Sequence, residues 1–252
     1  MITFEHNGAV ATIVLSRPPV NAINAAFVAA FHHALDEVEK LTPTIVVVRS
    51  DQRCFCAGAD LALIGGFFDR PDGVHEMVAF VRSMHGLFDR IEAFPGVTLA
   101  CMAGPALGGG LELALSCDLR IATRLARLGL PEAGIGMIPG AGGTQRLTRL
   151  CGPGVSSRVI LGGEILDGAE AERLGVVQWC VDDADLDAAV GRTAGRISGL
   201  SRQALVASKD CILASLDPAA DGYARELEKP QLLMMSEDSR ARVARFLSSE
   251  SR

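Results

Sequence analysis

The sequence predicts an α/β fold of stacked β-β-α units that ends in a helical tail, and three observations carry the prediction. Strand-like runs alternate with helical stretches in a recurring strand, strand, helix order. Residues 45–48 place four β-branched residues in a row, as in a strand covered on both faces. From Asp185 onward every segment has a helical apolar period.

Each element follows from local chemistry. Residues 2–5 and 10–15 alternate or run apolar around Asn7-Gly8, the signature of a tight hairpin. Arg17-Pro18-Pro19 ends the second strand, and Val28, Phe31, Leu35 and Val38 recur at helical spacing through Lys40. Pro43 stops that helix before the strand at 45–48. Residues 53–61, RCFCAGADL, form a small-residue turn into a short helix, and residues 65–73, with Pro71, read as a mobile loop. Met77, Val81, Met84, Phe88 and Ile91 mark the apolar side of a helix over 74–93, which Pro95-Gly96 ends before a strand at 97–102. Beyond residue 142, helices are expected at 143–150, 154–161 and 168–174, with a last strand at 176–181. The tail holds helices at 186–197, 202–216, 223–235 and 237–247. We divide the chain into a core, residues 1–184, and a helical region, residues 185–252. Leu232, Leu233, Met234 and Met235 in succession need more than one covered face, so the tail is expected to pack on a neighbouring subunit as well as on its own core.

Composition sets the bounds. A chain of 252 residues with 49% hydrophobic content can bury a sizeable core. Its net charge of -6 argues against a nucleic-acid face. The Gly104/Gly108 GxxxG pair lies in an apolar run that Glu112 and a triple glycine interrupt, so no membrane span is expected. The start, MITFEHNGAV, lacks the basic-then-apolar pattern of a secretory leader, and the seven cysteines form no paired framework; both fit a reducing cytoplasm.

Several chemistries lack their residues. His32 and His33 face different sides of one helix, while His6, His75 and His85 have no acidic or cysteine partner at ligand spacing. Cys54 and Cys56 form CxC rather than CxxC. All of these read as structural, and no metal is expected. There is no GxSxG elbow, no GK[ST] ending to a glycine loop, and no GxGxxG after the first strand.

What remains is residues 99–147, LACMAGPALGGGLELALSCDLRIATRLARLGLPEAGIGMIPGAGGTQRL. Gly108, Gly109 and Gly110 permit unusual backbone angles and close approach of a ligand to main-chain N–H groups. The helix beginning at 109 offers N–H groups without internal partners, suited to an oxygen that gains negative charge. Glu112 lies in a run without other charge from Leu99 to Cys117. A carboxylate in so apolar a helix is costly to bury unless a task requires it. Glu132 precedes a second glycine-rich turn, which makes a pair of acids beside two flexible turns.

On these motifs the chain resembles the enoyl-CoA hydratase/isomerase (crotonase) superfamily. FCAGADL, ALGGGLELALSCDLRIA and PEAGIGMIPGAGGTQRL match the family patterns in order and spacing, and the resemblance runs from Arg17-Pro18 and Asn21-Ala22 to the tail. It implies a crotonase-like spiral of repeated β-β-α units with a C-terminal helical trimerisation region, with trimers commonly paired into hexamers. It implies an acyl-CoA thioester substrate, with coenzyme A as part of that substrate and no tightly bound cofactor. The backbone N–H groups of Ala59 and Gly109 would form the oxyanion hole, Glu112 the base for an attacking water, and Glu132 the acid at C2. The Gly140 N–H would help hold the water, adenine would lie near the Ala57 main chain, and Asp60, Leu61, Gly108 and Pro139 would complete the substrate and water surface. Retention of both glutamates favours an enoyl-CoA hydratase. An isomerase, hydrolase or decarboxylase on the same scaffold is the alternative, and a non-catalytic assembly protein the third reading. Two features depart from the family: residues 240–246, RARVARF, replace the acidic-glycine pair common before the final Phe, and no lysine follows Asp60. Asp118 is expected to be a structural acid bonded to turn amides.

Overall fold

The computed structural model describes residues 1–250. Strands β1 (Ile2–Asn7) and β2 (Val10–Leu15) pair antiparallel across a two-residue turn in which Gly8 takes a left-handed φ of 61°. Helix α1 (Ala25–Lys40) starts where the Asn24 side chain accepts the Phe27 N–H, and it buries Phe27, Phe31, Leu35 and Val38. Then come β3 (Ile45–Ser50), α2 (Leu61–Phe68) and α3 (Gly73–Glu92).

The stretch expected to be a mobile loop at 65–73 is instead the second half of α2 and a tight turn into α3. Gly65 and Gly66 weaken the helical signal, but burial of Ile64 and Phe67 overrides propensity. The Phe67 ring meets Phe80 with centroids 6.4 Å apart, and a Cβ on Gly73 would lie 1.7 Å from the Phe67 carbonyl oxygen.

The middle of the chain supplies β4 (Val97–Met102), β5 (Ala106–Leu107), α4 (Gly109–Leu115), β6 (Leu119–Thr123) and β7 (Arg127–Gly129). Helix α5 (Gly143–Ile160) joins both helices expected there across a kink at Gly152, φ 79°, just before Pro153. Next come β8 (Leu166–Asp167), α6 (Gly168–Arg173) and β9 (Trp179–Val181). The tail is α7 (Leu186–Ser198), α8 (Arg202–Ala214), α9 (Gly222–Met234) and α10 (Glu237–Glu250).

A six-stranded sheet runs β1-β2-β3-β4-β6-β9, parallel except at the opening hairpin, and a three-stranded sheet runs β5-β7-β8. The repeat is visible in the pairings. After β3, Cys56 bridges Ala106 before α2 begins; β4 leads through β5 to α4; and β6 leads to β7, which pairs with β5. The units that begin with β4 and β6 thus send their first strand to the large sheet and their second to the small one, and the β3 unit reaches the small sheet through the Cys56–Ala106 bridge.

Both faces of the large sheet are covered. Val46 and Val48 of β3 join the core with α1 and α3, while Ile45 and Val47 meet Leu186, Val190, Ala194 and Ile197 of α7. That is why β3 reads as a continuous β-branched run. Helix α8 is tied down by cations: Arg202 Nε donates to the Pro43 carbonyl at 3.0 Å, and Lys209 Nζ donates to the Phe94 carbonyl at 3.0 Å. Asp118 is structural but bonds a strand rather than turn amides, accepting the Thr98 N–H of β4 at 2.7 Å and Lys209 Nζ at 2.8 Å. Among the described residues no helix is long and apolar enough to cross a membrane, and no group of three or more His, Cys, Asp or Glu residues could hold a metal ion.

Candidate active site

Two turns meet where β3 and β5 run out. The first, residues 54–60, is pinned by Asn21, which is fully buried: its side-chain oxygen accepts the Arg17 N–H at 2.7 Å, and its amide donates to the Phe55 carbonyl at 2.9 Å. Ile23 then pairs with the turn on both sides of Ala59, receiving the Asp60 N–H and donating to the Gly58 carbonyl, each at 2.8 Å. The second turn is the triple glycine, and each of its glycines is there for a different reason. Gly108 alone is left-handed, with φ 53°, so the unusual backbone angle expected of all three belongs to it. Gly110 packs on the first turn, where a Cβ would lie 2.0 Å from the Cys56 carbonyl oxygen. Gly109 opens α4, and a Cβ on it would lie 3.4 Å from the Ala59 nitrogen, which sets the two amides side by side. Among the described residues neither the Ala59 nor the Gly109 N–H has a hydrogen-bond acceptor. Two neighbouring, unsatisfied donors fit an oxygen that becomes an anion.

Two carboxylates adjoin these turns. Glu112, in α4, is 2% exposed, and its Oε1 accepts the Ala141 N–H at 2.8 Å and the Gly143 N–H at 2.7 Å. Burial pushes its carboxyl up to about 7, aided by the charge of Glu132 and opposed by the two N–H groups and Arg146. Glu132 lies on a single 3-10 turn, Glu132–Ile135, and burial raises its carboxyl as well. Its Oε2 is buried and has no hydrogen-bond partner among the described residues, a cost a protein accepts where a ligand supplies the partner. A glycine makes room for each acid. A Cβ on Gly108 would lie 2.9 Å from Glu132 Oε1, and one on Gly143 would lie 2.9 Å from Glu112 Oε1.

The raised carboxyl of Glu112 has a consequence for stability. Its folded value lies near 7 and its ordinary value is 4.5, so the protonated form is favoured by folding below 4.5 and that contribution is lost as pH rises through 7. Glu112→Gln keeps an oxygen for both N–H groups without the buried charge. It is therefore expected to match the parent's stability at pH 4 and to exceed it at pH 8 by up to about 3 kcal/mol. Urea denaturation at both pH values checks this; equal stability at pH 8 would show that the carboxylate is not strained.

A cavity of about 370 Å³ joins these parts. Ala57, Ala59, Leu61, Gly108, Gly109, Glu132 and Gly140 line it. Glu112 stands directly behind, bonded to the lining residue Ala141. Asp60 and Pro139 lie outside the lining. The Asp60 side chain caps α2 through the Ala62 N–H and pairs with Arg17 at 2.9 Å, and Pro139 is buried beneath the second glycine-rich turn.

Other residues of the site escaped sequence reasoning. Met77, Phe80, Val81 and Met84 of α3 line the cavity, together with Met137 and Ile138. The helical period identified the apolar side of α3, but period alone does not separate core from cavity wall. His85, read as structural for want of a partner at ligand spacing, places Nε2 2.6 Å from the Gly140 carbonyl oxygen. A carbonyl only accepts, so Nε2 carries the proton. No sequence signal marks a backbone partner 55 residues away.

Comparisons with known proteins bear on the family and the fold. Residues 5–247 match the family model described as enoyl-CoA hydratase/isomerase. The chain is 35% identical over 249 residues to a Rhizobium meliloti (strain 1021) protein named "Probable enoyl-CoA hydratase", covering 97% of this chain and 93% of the relative. It is 42% identical over 178 residues to the Bos taurus enoyl-CoA hydratase domain-containing protein 2, mitochondrial; that match covers 69% of this chain and 58% of the bovine protein. Among solved structures, Pseudomonas aeruginosa DspI superposes with a TM-score of 0.90 at 32% identity, covering 98% of this chain and 94% of the other. An enoyl-CoA hydratase from Bacillus anthracis does so with a TM-score of 0.90 at 29% identity, covering 98% and 96%.

Proposed function

This chain belongs to the enoyl-CoA hydratase/isomerase family, and from that premise we propose that it is an enoyl-CoA hydratase, adding water across the double bond of trans-2-enoyl-CoA thioesters. The observation that carries the reading is the pair Glu112 and Glu132, two carboxyls raised by burial, beside two unpaired backbone donors. The thioester oxygen accepts from the Ala59 and Gly109 N–H groups. As water adds at C3 this oxygen takes up enolate charge, and one such donor contributes about 2.7–4 kcal/mol of barrier lowering. Ionised Glu112 removes a proton from the water, and protonated Glu132 delivers one to C2. The acyl chain lies along Met77, Phe80, Val81 and Met84, with adenine near the Ala57 main chain. Coenzyme A arrives with the substrate, and the chemistry requires no further cofactor.

The family's double description supports a second reading. A single carboxylate lining the cavity, as Glu132 does, suffices to shuttle a proton between C2 and C4 in an enoyl-CoA isomerase. Incubation with crotonyl-CoA separates the two: hydration removes the absorbance of the conjugated thioester. Isomerisation leaves crotonyl-CoA untouched and creates that absorbance from a 3-enoyl-CoA.

We place its work in a homotrimer, or a pair of trimers, in a reducing cytoplasm. All seven cysteines are free, which suits that compartment. The tail leaves Tyr223 84%, Leu227 76% and Met235 82% exposed, an apolar surface that a neighbouring subunit would cover. Sedimentation at micromolar concentration is expected to give a species of three or six chains; a stable monomer would contradict it.

A further inference from the structure

The peptide group joining Gly140 to Ala141 is held at both ends. Its N–H donates to Glu112 Oε1 at 2.8 Å, and its carbonyl oxygen lies 2.6 Å from His85 Nε2. A peptide group is planar, so fixing the carbonyl fixes the direction of the N–H. A hydrogen bond accepted by the carbonyl also polarises the amide and strengthens it as a donor. We propose that His85 is a positioning residue for the reaction, orienting and polarising the Gly140–Ala141 peptide so that the Ala141 N–H holds the Glu112 carboxylate in its reacting geometry.

The surroundings show why the turn needs such a grip. Gly140, Gly142 and Gly143 give it little side-chain anchorage of its own, and Gly142 has a left-handed φ of 105°. The anchorage comes from α3, which sets His85, Asp89 and Glu92 at i, i+4 and i+7 on one face. Asp89 and Glu92 take the buried Arg146 at 2.6 and 3.0 Å, and Arg146 Nη1 donates to the Ala141 carbonyl at 3.2 Å. One face of α3 therefore holds two consecutive carbonyls of the turn, directly through His85 and indirectly through Arg146. The charged groups acting on Glu112 are Glu132 from the 3-10 turn and Arg146 from α5, and neither is altered by replacing His85. Nε2–H donates whether the ring is neutral or charged, so the contact does not depend on the charge of the ring.

The inference rests on Glu112 as the base of the proposed hydration, but its test does not require turnover. Glutamate carboxyls labelled with 13C are titrated by NMR in the free enzyme, the Glu112 signal being assigned by its loss in Glu112→Gln. His85→Phe keeps a ring and removes the donor. It is expected to move the Glu112 titration upward by about half a unit to one unit. His85→Gln, whose amide can donate to the same carbonyl, is expected to restore at least half of the shift. With crotonyl-CoA, His85→Phe should lower kcat roughly three- to tenfold with KM unchanged, whereas a damaged acyl surface would raise KM. Should His85→Phe fail to fold, His85→Leu serves the same comparison. An unmoved Glu112 titration in the donor-free variant overturns the proposal even where hydration is observed. A moved titration in a protein that hydrates no enoyl-CoA upholds the positioning role and overturns the hydratase reading.

Discussion

Glu112→Gln and Glu132→Gln are each expected to lower hydration of a trans-2-enoyl-CoA by about 10²–10⁴-fold, with the fold intact. Glutamine keeps the size and shape of the side chain, and at residue 112 its oxygen can still accept from Ala141 and Gly143. It cannot exchange a proton with water or carbon. The pH profile of the unaltered protein tests the division of labour. Glu112 must be ionised to act as base, so kcat/KM should fall on the acid side of its optimum. Glu132 must be protonated to act as acid, a form that burial favours, so kcat/KM should also fall on the alkaline side of its optimum. The residual activity of Glu112→Gln should lose the acid limb. Near-parental turnover in either variant would remove that residue from the chemistry.

Gly109→Val is expected to abolish both acyl-CoA binding and turnover. A Cβ at residue 109 would already lie 3.0 Å from Met84 Cε and 3.4 Å from the Ala59 nitrogen, and the branched methyls extend into the space the thioester oxygen must enter. Gly109 is not one of the left-handed glycines, so the substitution blocks the site without forcing the backbone into a disfavoured region. Glu132→Gln, by contrast, leaves the two donors open and should bind while failing to turn over. Calorimetric titration with a saturated acyl-CoA separates the cases. Parental affinity in a folded Gly109→Val would mean that the oxygen binds elsewhere.

The difference between what the sequence disclosed and what it concealed is one of range. The hairpin at Asn7-Gly8, the β-branched run of β3 and the periodic face of α1 are local patterns, and each stands in the structure where the residues place it. Strands β5, β7 and β8 have only two or three residues each, too short for a period to register, so the second sheet was invisible. Helix α2 was half concealed because Gly65-Gly66 masks a helix held by Phe67 on Phe80. In the site, Glu112 stood out as a lone charge in an apolar run, a property of its neighbours in sequence. The pairing of Gly108 with Glu132 and of Gly143 with Glu112, and the contact of His85 with Gly140, join residues 24 to 55 positions apart. Folding creates those relations, and no period or composition encodes them.

Addition of water across the double bond between two carboxylates is read directly by isotope labelling. Crotonyl-CoA is incubated with the protein in water enriched in 18O and deuterium, and the product is analysed by mass spectrometry. The expected product is a 3-hydroxyacyl-CoA carrying solvent oxygen at C3 and one solvent hydrogen at C2, formed by the unaltered protein and lost in both glutamine variants. Free coenzyme A bearing no labelled hydroxyacyl chain, or deuterium at C4 without oxygen at C3, would contradict it.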